Sequence, residues 1–139
     1  MSPDTRSASP RPILFLIVAC LVSALAAGPP NPAEAPVLAA ADGHPIRLQA
    51  PGQGALVLVF YSTECPISNA YSPTLNDLVG AYPADRLRLV GLCADPDRTD
   101  AQLVAHQAEY GLRFPVGRDR DLILARRYGA TMTPEVVVL

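Results

Sequence analysis

Two strongly apolar segments, separated by a segment with helical periodicity, constrain the fold of this chain more than any other feature. The first covers Ala55 to Tyr61 (ALVLVFY) and the second covers Leu87 to Cys93 (LRLVGLC). Continuous apolar runs of this kind are typical of central strands that are buried on both faces of a sheet. Since a helix between two such strands forms a right-handed crossover, we predict parallel strands and an α/β fold class.

The flanking segments continue this alternation of strands and helices. Ile46 to Leu48 and Val136 to Leu139 have the pattern of short strands. Three segments are predicted to be helical. The first begins at Cys65-Pro66 and is kinked at Pro73, and the second has a Thr99/Gln102 capping box and ends at Gly111. The third is a short helix that Asp119 caps, which continues through Tyr128 and ends at Gly129.

The first 36 residues have a different composition and hold seven of the fifteen prolines. Two arginines precede an apolar run from Ile13 to Ala27, which ends in the small-residue pattern that signal peptidase cleaves. We therefore predict a signal peptide over residues 1–27, a Pro-rich linker over 28–36 and a folded domain over 37–139. An uncleaved membrane anchor over residues 13–27 and a lipoprotein attached at Cys20 are the alternatives.

Export has consequences for the kind of partner and chemistry that we expect. An extracytoplasmic location, in a bacterial periplasm or outside the cell, allows disulfides to persist. Export leaves Cys65 and Cys93 as the two thiols of the folded domain. The formal net charge of −2, with both signs scattered along the chain, argues against a nucleic-acid partner.

Cys65 is the strongest candidate for a reactive side chain. It follows a buried strand and opens a helix, so its sulfur is expected at the sheet edge where ligands bind in open α/β folds. The unpaired N–H groups of a helix N-terminus favour thiolate over thiol, and the thiolate is the nucleophile in thiol exchange and peroxide reduction. The alternative is a buried structural cysteine that is chemically inert.

Several segments around Cys65 resemble a known family. Val59 to Ser68 (VFYSTECPIS), with Pro73 eight residues beyond the cysteine, resembles the active-site strand and kinked helix of the thioredoxin superfamily. Asp42 to Leu48 resembles the opening hairpin of its redoxin branch, the alkyl hydroperoxide reductase/thiol-specific antioxidant group. Tyr128 to Glu135 is similar to the segment that ends in that family's cis-proline, here Pro134.

The resemblance implies a thioredoxin-like fold, with a central mixed sheet and flanking helices. In such a fold another strand and a closing helix follow the strand after the cis-proline. We therefore expect a domain that lacks the final strand and helix. It also implies that Cys65 is the nucleophile and that Pro66, Thr133 and Pro134 line the substrate groove.

Three positions differ from the patterns of the family. Ser68 replaces the second cysteine of a dithiol oxidoreductase, so an internal disulfide must involve another residue. Ser62 and Leu58 stand where a peroxiredoxin has threonine and proline. The Ser62 hydroxyl can still bond a thiolate or a peroxide oxygen.

Cys93 is the alternative partner for an oxidised Cys65. It ends the second buried strand, and parallel strands would bring both sulfurs to the same edge of the sheet. One hypothesis is that Cys93 resolves oxidised Cys65 through a Cys65–Cys93 disulfide, with some loop movement. The other interpretation is a cysteine packed in the core.

The sequence indicates a metal site less strongly than it indicates a reactive cysteine. His44 and His106, together with the two cysteines, have the residue types of a soft-metal site, but we expect both histidines to be exposed surface residues. We interpret Asp95, Asp97 and Asp100 as part of a capped turn before a helix, because the pattern of a calcium loop is incomplete. We therefore expect no resident metal or other cofactor.

Three functions follow from these observations. The first is an exported thiol oxidoreductase that reduces a protein disulfide or a small peroxide and is itself reduced by an external thiol or a thioredoxin-like protein. The second is a thioredoxin-fold binding module without turnover. The third is a copper- or other soft-metal-binding protein. We predict the first, with Cys65 as nucleophile.

Overall fold

Strands and helices alternate along residues 35–139, the part of the chain that the structure, a computed structural model, describes. The predicted signal peptide and nearly all of the linker lie outside the described residues. The elements in chain order are β1 (Val37–Ala39), β2 (Pro45–Arg47), β3 (Ala55–Tyr61), α1 (Pro66–Ala70), α2 (Ser72–Ala81), β4 (Leu87–Cys93), α3 (Asp100–Glu109), β5 (Val116–Arg118), a 3₁₀ turn (Arg120–Leu122), α4 (Ile123–Tyr128) and β6 (Glu135–Val138).

The two apolar runs form neighbouring parallel strands, as predicted. β3 and β4 pair over their full length, from Ala55 opposite Leu87 to Tyr61 opposite Cys93. β5 adds a third parallel strand beside β4, and β6 pairs antiparallel with β3, so the sheet has the order β5-β4-β3-β6. β1 and β2 form a separate antiparallel hairpin. The mixed sheet with flanking helices confirms the thioredoxin-like α/β fold.

Each face of the sheet carries its own hydrophobic core. On one face, Leu58 and Phe60 of β3 pack with α4 and the β1–β2 hairpin. On the other, Val59 and Tyr61 pack with Leu103 of α3 and the apolar face of α2. Since successive side chains of a strand point to opposite faces, β3 and β4 supply both cores, which explains their unbroken apolar sequences.

The helices end where the sequence predicts a break. The first predicted helix divides into α1 and α2 at Tyr71, because Pro73 has no N–H to donate to the carbonyl of Asn69. The side chains and backbones of Thr99 and Gln102 form the predicted capping box of α3.

Asp119 caps α4 as predicted, although the helix begins four residues later. Its carboxylate accepts hydrogen bonds from the amides of Leu124 at 2.8 Å and Ala125 at 2.7 Å. Gly129 ends this helix in the left-handed conformation, with a φ of 76°.

Two of the strands were not predicted from the sequence. β1 and β5 are three residues long and carry no clear alternation. β5 contains Gly117, where an added Cβ would lie 2.8 Å from the carbonyl oxygen of Ala39. The glycine therefore permits the hairpin to approach the sheet edge, a tertiary requirement that local sequence does not express.

No helix within residues 35–139 is long and apolar enough to cross a membrane.

We predict that Gly91→Ala lowers the free energy of unfolding by about 1–3 kcal/mol, because its methyl group overpacks the core. A Cβ at Gly91 would lie 2.9 Å from Cγ1 of Val116 and 3.2 Å from the rings of Phe114 and Tyr61. Urea unfolding measures the effect. Gly80→Ala is the matched control: this helical position meets only the end of the Arg113 side chain, at 3.2 Å. The control should stabilise by about 0.5–1 kcal/mol. Equal stability of the two variants would contradict the prediction.

Candidate active site

The candidate nucleophile lies where β3 leads into α1. Cys65 follows the three-residue loop Ser62–Glu64 and is the residue that precedes the first turn of α1, with Pro66 in that turn. The thiol is free and half-buried. Proline suits this position because the first helical residues have no intrahelical acceptor for their N–H groups. The sequence pattern of strand, cysteine and proline therefore places the sulfur at the edge of the sheet, as predicted.

Ser68 is the main reason for the altered pKa of Cys65. Hydrogen bonds from the backbone N–H and then the hydroxyl of Ser68, supported by the N–H of Ile67, lower the pKa of the Cys65 thiol below its usual value. Partial burial and the charge of Asp95 oppose this shift without cancelling it. Ser68 cannot form the disulfide of a dithiol motif, but it lowers the pKa of the Cys65 thiol instead.

The segment before β6 completes one side of the site. The peptide bond between Thr133 and Pro134 is cis, as the resemblance implies. The Cys65 sulfur lies 3.8 Å from the carbonyl oxygen of Thr133. Residues that are distant in sequence are therefore in contact at the sulfur.

A largely apolar cavity of about 420 Å³ extends from this point. Ser68 and Pro134 line the end near Cys65, and Ile67, Tyr71 and Val136 contribute apolar surface. Ile67 and Tyr71 are exposed at 61% and 51%. The site thus has a free, half-buried thiol near an open apolar surface.

Ser62 is bonded within the loop. Its hydroxyl accepts a hydrogen bond from the backbone N–H of Glu64 at 3.2 Å, and its own N–H donates to the Ser68 hydroxyl at 3.5 Å. The expected bond from Ser62 to a thiolate or a peroxide oxygen stays a prediction. In this structure Ser62 fixes the shape of the loop that carries Cys65.

Cys93 is more deeply buried than Cys65. It is 1% exposed, and its sulfur lies 3.6 Å from Oδ2 of Asp95. Burial raises the pKa of Cys93 to about 11, so the thiol is protonated at neutral pH. The two cysteines of the domain therefore differ in both exposure and protonation.

Asp95 has a larger part in the site than the sequence indicated. We interpreted it as a turn residue, but Oδ2 accepts hydrogen bonds from both the amide and the hydroxyl of Thr63 at 2.7 Å. Burial on its own would raise the pKa of Asp95. Hydrogen bonds from Ser62, Thr63 and Cys93 outweigh it and lower the pKa. The sequence feature that indicates this role is the position of Asp95 two residues beyond the end of a buried strand.

The prediction for His106 was wrong, since the ring is buried rather than exposed. Only 8% of the residue is accessible. Nε2 lies 2.9 Å from Oδ1 of Asn69, and the ring stacks between Tyr61 and Tyr110. Asn69 in turn donates to the carbonyl oxygen of Thr63 at 3.0 Å. His106 therefore supports the Cys65 loop through Asn69.

Burial also governs the charge of His106. It lowers the pKa of the imidazole, while the carboxylates of Glu109 and Asp95 act in the opposite direction. Nδ1 is buried without a hydrogen-bond partner. A proton added there would create an unpaired buried charge, so the neutral form is favoured.

Surface charge next to the nucleophile is partly neutralised. Glu64, which precedes Cys65, is paired with Arg98 at the start of α3. A carboxylate beside a thiolate disfavours it, and the guanidinium offsets this effect. Since both partners reach solvent, the energy of the pair is small.

The described residues do not form the soft-metal site that was considered as an alternative. No group of three or more His, Cys, Asp or Glu side chains within residues 35–139 is placed to hold a metal ion. His44 is exposed in the β1–β2 turn, as expected, where its N–H donates to Asp42. It lines a different cavity from the one beside Cys65.

A mixed sheet with a cysteine at the start of a kinked helix and a cis-proline opposite it defines a thioredoxin-like protein. The chain belongs to the AhpC/TSA family, whose model matches residues 30–139. A comparison with curated proteins gives no match.

Solved structures share the fold. A secreted disulfide oxidoreductase of Mycobacterium tuberculosis, homologous to E. coli DsbE, is 24% identical, with a TM-score of 0.63 and 73% of each chain covered. A hypothetical protein of Sinorhizobium meliloti 1021 is 27% identical, with a TM-score of 0.66, covering 78% of this chain and 62% of that one. An exposed lipoprotein thioredoxin of Streptococcus pneumoniae is 18% identical, with a TM-score of 0.65, covering 76% and 80%.

We predict that His106→Gln weakens the pH dependence of stability between about pH 5 and 7.5. The unfolded chain protonates this histidine near its ordinary pKa of 6.5, whereas the folded chain resists protonation. Its contribution is therefore present above about pH 6.5 and is lost as the pH falls through the lowered pKa. Urea titrations at several pH values measure this slope.

His44→Gln, which removes an exposed histidine, is the control and should keep the slope of the parent protein. If His106→Gln and His44→Gln gave the same slope as the parent, the buried neutral imidazole would not be the cause.

Proposed function

We propose that this protein is an exported thiol oxidoreductase in which Cys65 exchanges with a disulfide of a protein substrate. One observation carries the proposal: the half-buried Cys65 thiol lies at the start of α1, 3.8 Å from the carbonyl oxygen that precedes the cis-proline. Ser68 lowers the pKa of this thiol, which increases the fraction of nucleophilic thiolate. Membership of the AhpC/TSA family supports the same chemistry.

The reaction begins with attack of the Cys65 thiolate on one sulfur of the substrate disulfide. A bond forms between Cys65 Sγ and that sulfur, the disulfide bond breaks, and the second substrate sulfur leaves as a thiolate. A thiol of an external reductant, or of a thioredoxin-like protein, then attacks the Cys65 sulfur of the mixed disulfide, and the first substrate sulfur leaves as a thiolate. A second thiol of the reductant displaces Cys65 in turn, so the substrate gains two electrons, the reductant leaves as a disulfide and the Cys65 thiolate is restored.

The surroundings of Cys65 favour a substrate with an extended segment next to its disulfide. The carbonyl oxygen of Thr133, the residue before Pro134, lies 3.8 Å from the sulfur. Pro66 is exposed on the other side, beside the half-buried sulfur. Apolar side chains of the substrate can enter the cavity that Ile67 and Tyr71 line.

Peroxide reduction is the second candidate, and Ser62 is the observation that favours it. Its hydroxyl lies in the loop before Cys65 and could bond a peroxide oxygen after a small rotation. Arg98, the guanidinium beside this loop, is however bonded to Glu64. We therefore place disulfide exchange first.

Export is supported by the pattern of residues 1–27. The structural neighbours named as secreted or as an exposed lipoprotein are consistent with it. We propose an extracytoplasmic location, where a substrate disulfide persists long enough to be reduced.

We predict that Cys65 reacts with iodoacetamide faster than Cys93 by more than about tenfold at pH 7, because thiolate fraction and exposure both favour it. Peptide mapping after short labelling times measures the two rates. The pH profile of the Cys65 rate should give a pKa below that of a free thiol, about 8.5. A profile at or above that value would count against the proposed nucleophile.

We predict that Cys65→Ser abolishes turnover of both a protein disulfide, measured with insulin and dithiothreitol, and hydrogen peroxide. Cys20→Ser is the matched control, since it removes a thiol that lies outside the folded domain, and it should keep full activity. Faster turnover of insulin than of peroxide would support disulfide exchange as the main activity. Unchanged turnover by Cys65→Ser would show that Cys65 is not the nucleophile, and no turnover by the parent protein would instead favour a binding module.

A further inference from the structure

Three donors converge on one oxygen of Asp95, and one of them is a second thiol. The amide and hydroxyl of Thr63 each lie 2.7 Å from Oδ2, and the sulfur of Cys93 lies 3.6 Å from the same atom. Thr63 belongs to the loop that carries Cys65, two residues before the nucleophile. The carboxylate therefore contacts the second cysteine and the active-site loop at once.

The Cys93 thiol must lose its proton before it can act as a nucleophile. Cys93 is almost completely buried and is protonated at neutral pH. A thiol reacts only after its proton has left, and no solvent reaches this sulfur to accept it. Asp95 is ionised and is the acceptor already in contact with the thiol.

We propose that Asp95 accepts the proton of Cys93, and that Cys93 so activated displaces the substrate sulfur from Cys65. The inference rests on the proposed function, because it concerns the mixed disulfide that Cys65 forms. A bond forms between the sulfurs of Cys93 and Cys65, and the bond between Cys65 and the substrate sulfur breaks. The substrate leaves as a thiolate and takes up a proton, while the Cys93 proton passes to Asp95 and then to solvent. Ser68 has no thiol with which to displace the substrate sulfur, so Cys93 performs this displacement.

The fold brings the two cysteines to the same edge of the sheet. Cys93 lies opposite Tyr61 in the pairing of β3 with β4, and only three residues separate Tyr61 from Cys65. The charge of Asp95 acts on both thiols. A disulfide requires Cα atoms within about 7 Å, so the loop that Thr63 anchors moves toward Cys93 as the bond forms.

Ellman's reagent tests this step apart from any natural substrate. In the full chain with Cys20→Ser, only Cys65 and Cys93 remain. Cys65 first releases one equivalent of thionitrobenzoate and becomes a mixed disulfide. Attack by Cys93 then releases a second equivalent in a first-order phase that is independent of reagent concentration. Peptide mapping of the product identifies the Cys65–Cys93 disulfide.

Asp95→Asn should slow the second phase by about 100-fold near neutral pH, the scale of general-base catalysis. Its rate should then rise about tenfold per pH unit with the thiolate fraction of Cys93, whereas the parent rate is nearly flat. Asp95→Glu should restore most of the rate and the flat profile. Asp97→Asn removes an exposed charge two residues away and is the matched control, with unchanged kinetics.

Thr63→Val separates proton acceptance from anchoring of the loop, because it removes one bond to Asp95 and leaves the contact with Cys93. This variant should change the rate of the second phase but keep its flat dependence on pH. If Asp95→Asn behaves like Asp97→Asn, Asp95 is not the acceptor and the inference fails. If the parent shows a normal first phase and no second phase, the inference fails while the proposed function stands. A missing first phase, with Cys65 unreactive, would overturn both.

Discussion

The parallel pairing of β3 with β4 is the constraint on which the rest of the structure depends. It places Tyr61 opposite Cys93, so the segments that follow both strands leave the sheet at the same edge. Because those segments carry Cys65 and Asp95, the register of two apolar strands determines which polar groups can meet. A shift by one residue would turn the side chain of Cys93 to the opposite face of the sheet, away from the core that it shares with Tyr61.

The same side chain has two different chemical states within this small domain. Cys65 lies at the start of a helix, where N–H groups without intrahelical partners stabilise its thiolate. Cys93 lies inside the sheet, where burial stabilises its thiol and its sulfur lies 3.6 Å from the carboxylate of Asp95. The position of each cysteine in the backbone therefore determines its exposure and the direction in which its pKa is shifted.

The sequence predicted the elements whose causes are local. The apolar runs of β3 and β4, the break near Pro73 and the capping box at Thr99 all depend on neighbouring residues, and each is confirmed. His106 was misassigned because polar neighbours on its own helix indicated an exposed face. Its actual environment is set by Asn69, thirty-seven residues away, and by a ring of β3. Contacts of this kind have no periodicity that a local pattern can express.

Asp95 and His106 hold the Cys65 loop by different kinds of force. Asp95 accepts bonds from Thr63 through a charge, and Asn69, positioned by His106, binds the carbonyl oxygen of the same residue through neutral groups. Thr63 thus has both of its donors and its carbonyl oxygen hydrogen-bonded. If Cys93 transfers its proton to Asp95, the carboxylate becomes neutral and its bonds to Thr63 weaken, while those from Asn69 do not change. In the proposed step, proton transfer from Cys93 therefore loosens the contact between Asp95 and the loop that carries Cys65.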